Sequence, residues 1–338
     1  MTRKMQPALL AGLFLLLSAA PLPAINTDRE DVRAFVEELR DRHGFDAAAV
    51  EATLAGSQTK QKILDAISRP AEKTKPWFEY RQIFITDERI AAGREFRKEH
   101  GERLDRVAAQ TGVPAEMIAA IIGVETYYGR RTGSYRVLDS LSTLGFDYPP
   151  RAKFFRSELM EFFLLARDEG LGVDEVKGSY AGAMGPPQFI PSSYRAYAVD
   201  GDGDGKRDLL GNWDDVIASV ANYFVAHRWA PGQPVAALAR LDDPSAAPEK
   251  NKLKLNSTMG ELRGRGVSAD PQVAGDTKAM LMRFEAEDAD EFWVGFQNFY
   301  VITRYNRSPM YALAVFQLSQ ALADNPDASA EAVARENP

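Results

Sequence analysis

Apolar positions recur along most of the chain at the three-and-four spacing of helices that bury one face. After Thr27, the residues Val32, Phe35, Val36 and Leu39 fall on one stripe, with Asp28 as N-cap and Gly44 as the stop. A weaker set follows at Ile63, Leu64 and Ile67, and the segment from Pro70 to Pro76 turns into the aromatic stretch Trp77-Phe78-Glu79-Tyr80. Thr111-Gly112-Val113-Pro114 opens another helix, Pro114 suiting a first turn where a missing N–H costs nothing. Ile118, Ile121 and Ile122 form its stripe and Gly129 ends it. Helices are predicted over Lys153–Arg167 and Trp213–His227, with Asp214 or Asp215 near the start of the second.

From about Pro231 the spacing changes. Pro, Gly and Asp separate short runs such as Ala279–Phe284 and Phe292–Phe296, whose alternation fits strands. The segment Arg304–Ala323 returns to helical spacing through Tyr311, Val315 and Leu318, too apolar to stand free, so it packs back on an earlier unit. Asp324–Pro338 is polar and expected to fray. The expected class is mainly α (α+β). It has a leader over 1–24, an N-terminal helical domain over 25–105, a helical core over 106–230, a small β domain over 231–290 and a return to the core over 291–338.

Hydrophobic types at 45% and charged types at 26% of 338 residues are enough for a sizeable core and exclude a disordered chain. Arg3 and Lys4 precede an apolar run from Ala8 to Ala20, and Pro21-Leu22-Pro23-Ala24 ends in a small residue, the pattern of a secretory signal. The net charge of −7 includes those two cations, so the mature chain is more acidic still. No clustered basic surface suited to nucleic acid is visible. With no cysteine there is no disulfide, thiolate metal site, catalytic thiol or lipid-bearing cysteine. The three histidines, His43, His100 and His227, form no H-E-x-x-H, and there is no G-x-S-x-G, P-loop or dinucleotide fingerprint. No organic cofactor is expected.

Glu125 remains. It lies seven, four and three residues after Ile118, Ile121 and Ile122, so a helix carries its carboxylate to the face they bury. Loss of solvation disfavours the charged form and suits a proton donor to a glycosidic oxygen. The alternative is a helix-end charge paired with Arg130 or Arg131. Asp139, Asp147 and Glu158 are near enough in the chain to be a second acid, as two-carboxylate glycosidases require.

The stretch Ile121-Ile122-Gly123-Val124-Glu125-Thr126-Tyr127-Tyr128-Gly129-Arg130 resembles the catalytic-glutamate segment of the membrane-bound lytic murein transglycosylase B family. Further blocks agree in order: Tyr80-Arg81 before Phe84-Ile85-Thr86; Lys177 to Gly185 with Gln188 to Tyr194; Ser219 to Phe224; and Asn298 to Asn306. The resemblance implies cleavage of the MurNAc-β-1,4-GlcNAc bond in peptidoglycan without water, the muramyl 6-hydroxyl closing on C1 to leave 1,6-anhydro ends. Glu125 would be acid and then base, with the 2-acetamido group supporting charge at C1. A muramidase hydrolysing the same bond and a non-catalytic peptidoglycan-binding scaffold are the alternatives. The resemblance also implies that Ser179 and Asn306 orient Glu125 or the sugar. Gln188, Phe189, Tyr223 and Tyr305 would line subsites, Tyr80 would reach in from the N-terminal domain, and Arg151 would meet a lactyl or peptide carboxylate. Pro150 and Pro186-Pro187 depart from the family pattern. The implied fold is a goose-type-lysozyme-like helical catalytic core. The implied partners are peptidoglycan glycan strands and other cell-wall enzymes, and the expected location is the periplasm, soluble and without a lipid anchor.

Asp200-Gly201-Asp202-Gly203-Asp204-Gly205 matches the opening of an EF-hand loop, with oxygen ligands at positions 1, 3 and 5 and glycine at position 6. Lys206 can supply its backbone carbonyl at position 7, but Gly211 at position 12 has no carboxylate. The resemblance implies closure a few residues later, by Asp215 or Asp214, around a structural Ca2+. A solvated acidic turn is the alternative.

Overall fold

The computed structural model describes residues 24–68, 75–270 and 273–323. The leader and the polar tail, apart from Ala24, lie outside the described residues. The N-terminal part contains α1 (Glu30–His43), α2 (Ala47–Ala55), α3 (Gln61–Ile67) and α4 (Trp77–Phe84). The long helix α5 (Asp87–Thr111) leads to α6 (Ala115–Thr126). Next come β1 (Tyr135–Arg136), α7 (Val137–Asp147), α8 (Ala152–Glu169), β2 (Lys177–Gly178), α9 (Pro191–Tyr197) and α10 (Trp213–Ala226). The sheet region has β3 (Ala236–Leu241), β4 (Ser257–Thr258), α11 (Met259–Gly264), β5 (Val267–Ala269), β6 (Lys278–Glu285) and β7 (Asp290–Gly295). Two helices, α12 (Gln297–Tyr305) and α13 (Pro309–Ala323), follow.

The helical spacing is realised with few shifts. Val32, Phe35, Val36 and Leu39 are the buried face of α1, and Gly44 stops it in the left-handed region at φ 70°. Its cap is Arg29 rather than Asp28, whose amide instead donates to Asn26. Three expectations are corrected. The boundary at 105 falls inside α5, which continues to Thr111 through a kink at His100. The boundary at 290 falls at the first residue of β7, which pairs with both β3 and β6 and so belongs to the sheet. Arg304–Ala323 is two helices, broken at 306–308, where the Ser308 hydroxyl accepts the Tyr311 amide and starts α13.

The five-stranded antiparallel sheet, in the order β4-β6-β7-β3-β5, separates two cores. Met280, Met282, Phe284 and Ala236 face the main helical core, while Ala237, Ala239, Ala279 and Val294 enclose a small core with Met259, Leu262 and Val267. Period-two alternation along β6 supplies both faces. In the helical body α6 is buried all round, from Met117 to Val124, with α5, α10 and α13 packed about it. The apolar stripe of the sequence is therefore the visible part of a core helix. No single described helix is long and apolar enough to cross a membrane.

Asp139 joins the N-terminal helices to α7. Its buried carboxylate meets Lys60 at 2.8 Å and Arg136 at 2.7 Å and accepts the Gln58 amide at 2.9 Å. Nearby, Asp147 pairs with Arg29 at 2.6 Å and accepts from Thr59. Burial pushes the Asp139 carboxyl up, but the two cations and the amide outweigh it and hold it below the ordinary aspartate range. Removing one member of such a network leaves buried charges uncompensated. Asp139→Asn is expected to cost about 3 kcal/mol in urea unfolding at neutral pH. Because the folded carboxyl is depressed, its contribution is present above the unfolded aspartate value and disappears as pH falls through the folded one. The gap between wild type and variant should therefore close in the acid range, below about pH 4.

Candidate active site

Glu125 occupies the last turn of α6, half-buried, at the carbonyl end of the helix, which disfavours negative charge. Its Oε1 accepts the Tyr311 hydroxyl from α13 at 2.5 Å. Burial holds the Tyr311 hydroxyl well above the ordinary tyrosine range, as does the adjacent Glu125 charge, so the hydroxyl stays a donor. Tyr311 was visible in the sequence only as one position of an apolar stripe; its hydroxyl was the one sign of another role. Arg130 and Arg131, the expected ion-pair alternatives, both lie over the Tyr127 ring.

The turn after Glu125 is fixed from two directions. The helix ends at Thr126, three residues before the expected Gly129, because Tyr127 and Tyr128 both take left-handed conformations at φ 53° and 59°. The Thr126 hydroxyl donates to the Pro186 carbonyl at 2.9 Å and accepts the Gly129 amide. The Tyr128 ring lies across Gly123, where an added Cβ would come within 2.6 Å of it.

The other expected residues are distributed as follows. The Tyr305 hydroxyl donates to the Pro187 carbonyl at 2.8 Å, and burial followed by the Glu125 charge raises it well above the usual range. Pro186 and Pro187, which break the family pattern, thus anchor the Glu125 turn and Tyr305 through their carbonyls. The Tyr223 hydroxyl is pushed up to about 12 by burial and donates to the Arg304 carbonyl. Phe189 is only 2% exposed and sits against Tyr223 and Tyr305, with ring centroids 5.6 and 5.8 Å away. It supports those rings, and its expected contact with a sugar is corrected: the ring has no free face to offer. Gln188 holds its turn at φ 52° and donates its amide to the Thr132 and Gly185 carbonyls. The Ser179 hydroxyl oxygen accepts the Ala181 and Ala183 amides. Tyr80 is buried on α4 beside Phe84 and is close enough to Tyr311 to influence its hydroxyl. Asn306 lies at the break between α12 and α13. Arg151 is exposed at the start of α8, over the Phe154 and Phe155 rings.

None of the three candidate second acids is available. Asp139 and Asp147 are in the ion pairs described above. Glu158 is buried, which pushes its carboxyl up, and accepts the amide and hydroxyl of Ser192.

In the acidic loop, Asp200, Asp202 and Asp204 bring ligand oxygens within 4.8 Å of one another. The amides of Gly203, Asp204 and Gly205 fold onto Asp200. Asp214 is drawn away into pairs with Arg103 and Arg106, which removes it as the closing ligand. Asp215 stands behind the loop, each oxygen accepting an amide, from Gly201 and from Asp208, and it is not part of the three-carboxylate group. Burial pushes its carboxyl up, and the Asp202 and Asp200 charges add to the rise. That oxygen set fits a hard cation, which would relieve the repulsion.

A family model described as "Transglycosylase SLT domain" matches residues 27–320. The chain is 40% identical over 304 residues to membrane-bound lytic murein transglycosylase B of Escherichia coli (strain K12), covering 87% of this chain and 82% of that protein. The crystal structure of soluble lytic transglycosylase SltB1 from Pseudomonas aeruginosa matches with a TM-score of 0.81 and 52% identity, covering 86% of this chain and 97% of that one. The structure of Escherichia coli lytic transglycosylase Slt35 in complex with calcium matches at 0.80 with 38% identity, covering 88% and 93%.

Tyr311→Phe keeps the ring and removes the donor to Glu125. A bond that favours the carboxylate is lost, so the Glu125 titration followed by carboxyl carbon NMR should move to higher pH. An unchanged midpoint would mean the hydroxyl does not act on the carboxylate.

Proposed function

The chain belongs to the transglycosylase SLT domain family, whose members cleave peptidoglycan to leave anhydro-MurNAc ends, and from that premise we propose that Glu125 is its single acid and base. Glu125 protonates the glycosidic oxygen as the C1–O bond breaks. The 2-acetamido group supports the developing charge at C1. The 6-hydroxyl then attacks C1 and gives its proton to the Glu125 carboxylate, which restores the acid. No water enters and no second carboxylate is needed. The observation that carries this reading is the Glu125–Tyr311 bond at 2.5 Å, formed where Asp139, Asp147 and Glu158 are all committed elsewhere.

In this reading Tyr311 keeps Glu125 aimed while it changes protonation. Tyr223 and Tyr305 offer ring edges to the sugar, while Tyr80, as buried as Phe189, backs Tyr311 from α4. Ser179, Gln188 and Asn306 bond the acetamido and hydroxyl groups, and Arg151 meets a carboxylate at the far end of the groove. The glycan lies between the N-terminal helices, the core and the sheet unit, treated as three domains. Asp200, Asp202 and Asp204, the Lys206 carbonyl and Asp215 hold a structural Ca2+, a reading supported by the calcium complex of the Escherichia coli relative. After removal of the leader the enzyme works in the periplasm on glycan strands.

Glu125→Gln should lower the rate of muropeptide release from sacculi about a thousandfold with no loss of melting temperature. Retention of a tenth of the activity would overturn the assignment. Millimolar Ca2+ should raise the melting temperature of the wild type by several degrees, through preferential binding to the folded state. Asp200→Ala should abolish that rise, as read by differential scanning calorimetry.

A further inference from the structure

Three arginines surround one ring beside Glu125. The guanidinium carbons of Arg89, Arg131 and Arg130 lie 5.0, 5.1 and 5.5 Å from the Tyr127 ring centroid. Among the described residues none of the three is in an ion pair, whereas Arg97, Arg103, Arg106 and Arg207 are each paired with a carboxylate. In a chain of net charge −7 this gathers three positive charges around one ring. Arg89 is only 8% exposed. It donates one bond, to the Gly123 carbonyl, and its buried Nε has no partner. Ring faces offset the desolvation of a cation only in part.

Two of the three cations are accessible, and the cluster is fixed. Arg130 and Arg131 are exposed and Tyr127 is half-buried. The Tyr127 and Arg131 amides are tied to the Gly123 and Thr126 carbonyls at 3.1 and 2.9 Å, so the ring and its cations are preorganised. It also adjoins the site. Tyr127 is two residues past Glu125, and Arg89 lies over Phe84, which packs on Tyr80.

We propose that Arg89, Arg130 and Arg131, gathered around Tyr127, form an anion subsite that takes a carboxylate of the peptide borne by the muramyl unit. This subsite is distinct from Arg151. The inference rests on peptidoglycan being the substrate. Where the muramyl unit bears a peptide its lactyl carboxyl is tied up in the amide link, so the anionic groups of such a strand are those of the peptide, and a planar guanidinium fork matches a carboxylate.

The test compares glycan strands bearing peptides with strands stripped of them by an amidase, which leaves the lactyl carboxylate on the sugar and removes every carboxylate of the peptide. The Arg130→Gln, Arg131→Gln double variant should raise KM about tenfold on peptide-bearing strands and less than twofold on stripped ones, with kcat on both within about twofold. Raising salt from about 50 to about 300 mM should raise the wild-type KM on peptide-bearing strands and leave the double variant nearly flat. Arg131→Lys, which keeps the charge but not the fork, should fall between. An equal rise on both strands, or none on either, would overturn the inference and leave the arginines as packing around Tyr127. If the wild type cleaved neither strand, the substrate reading itself would fail.

Discussion

Glu125 and Tyr311 are 186 residues apart and meet through one hydrogen bond inside an otherwise apolar bundle. A half-buried carboxylate at the carbonyl end of a core helix is held in one orientation only by partners that the protein supplies. Much of the architecture brings that partner back. α13 packs along α6, and the sheet unit intervenes in sequence without disturbing the contact. Its entry and exit are pinned together. Buried Asn298, at the start of α12, accepts the Ala230 amide and donates to the Ala230 and Gln233 carbonyls, and the Phe296 amide donates to Val235. Sixty-odd residues of sheet and loop are therefore a side excursion from a fixed point.

The roof of the site depends on backbone rather than side-chain chemistry. Carbonyls of Pro186 and Pro187 receive the hydroxyls of Thr126 and Tyr305, so one proline pair fixes both the turn after Glu125 and the ring of Tyr305. Prolines have no N–H to satisfy, which leaves a carbonyl-rich rim suited to receiving hydroxyl donors. Phe189 fills the space beneath, and Tyr223 stacks on His227 with centroids 4.2 Å apart. These contacts make the tyrosine wall rigid, which favours recognition of a sugar ring by shape.

The sequence revealed local things well. The apolar stripe of α1, the Gly44 stop and the alternation of β6 follow from periodicity and turn chemistry, which act over a few residues. The apolar surroundings of Glu125 were legible for the same reason. Tyr311 was not, because spacing reports that a position is buried and says nothing about which distant group meets it. Phe189 and Tyr223 both read as subsite aromatics, yet only packing separates a supporting ring from one near the groove. Asp214 and Asp215 are neighbours in sequence, and only Arg103 and Arg106, a hundred residues earlier, decide that the first turns away from the loop. The boundary drawn at 105 failed because α5 serves both units, and a helix shared between two packing partners leaves no compositional trace.

The central claim is that one carboxylate does both proton transfers and that the attacking oxygen belongs to the substrate. Digestion of sacculi by the wild-type enzyme in water enriched in oxygen-18, followed by mass spectrometry of the released ends, tests it directly. Muramyl ends that carry no label and are lighter by one water than reducing ends would be the predicted result. Labelled reducing ends would contradict it, showing that water attacks C1 and that another group must activate it.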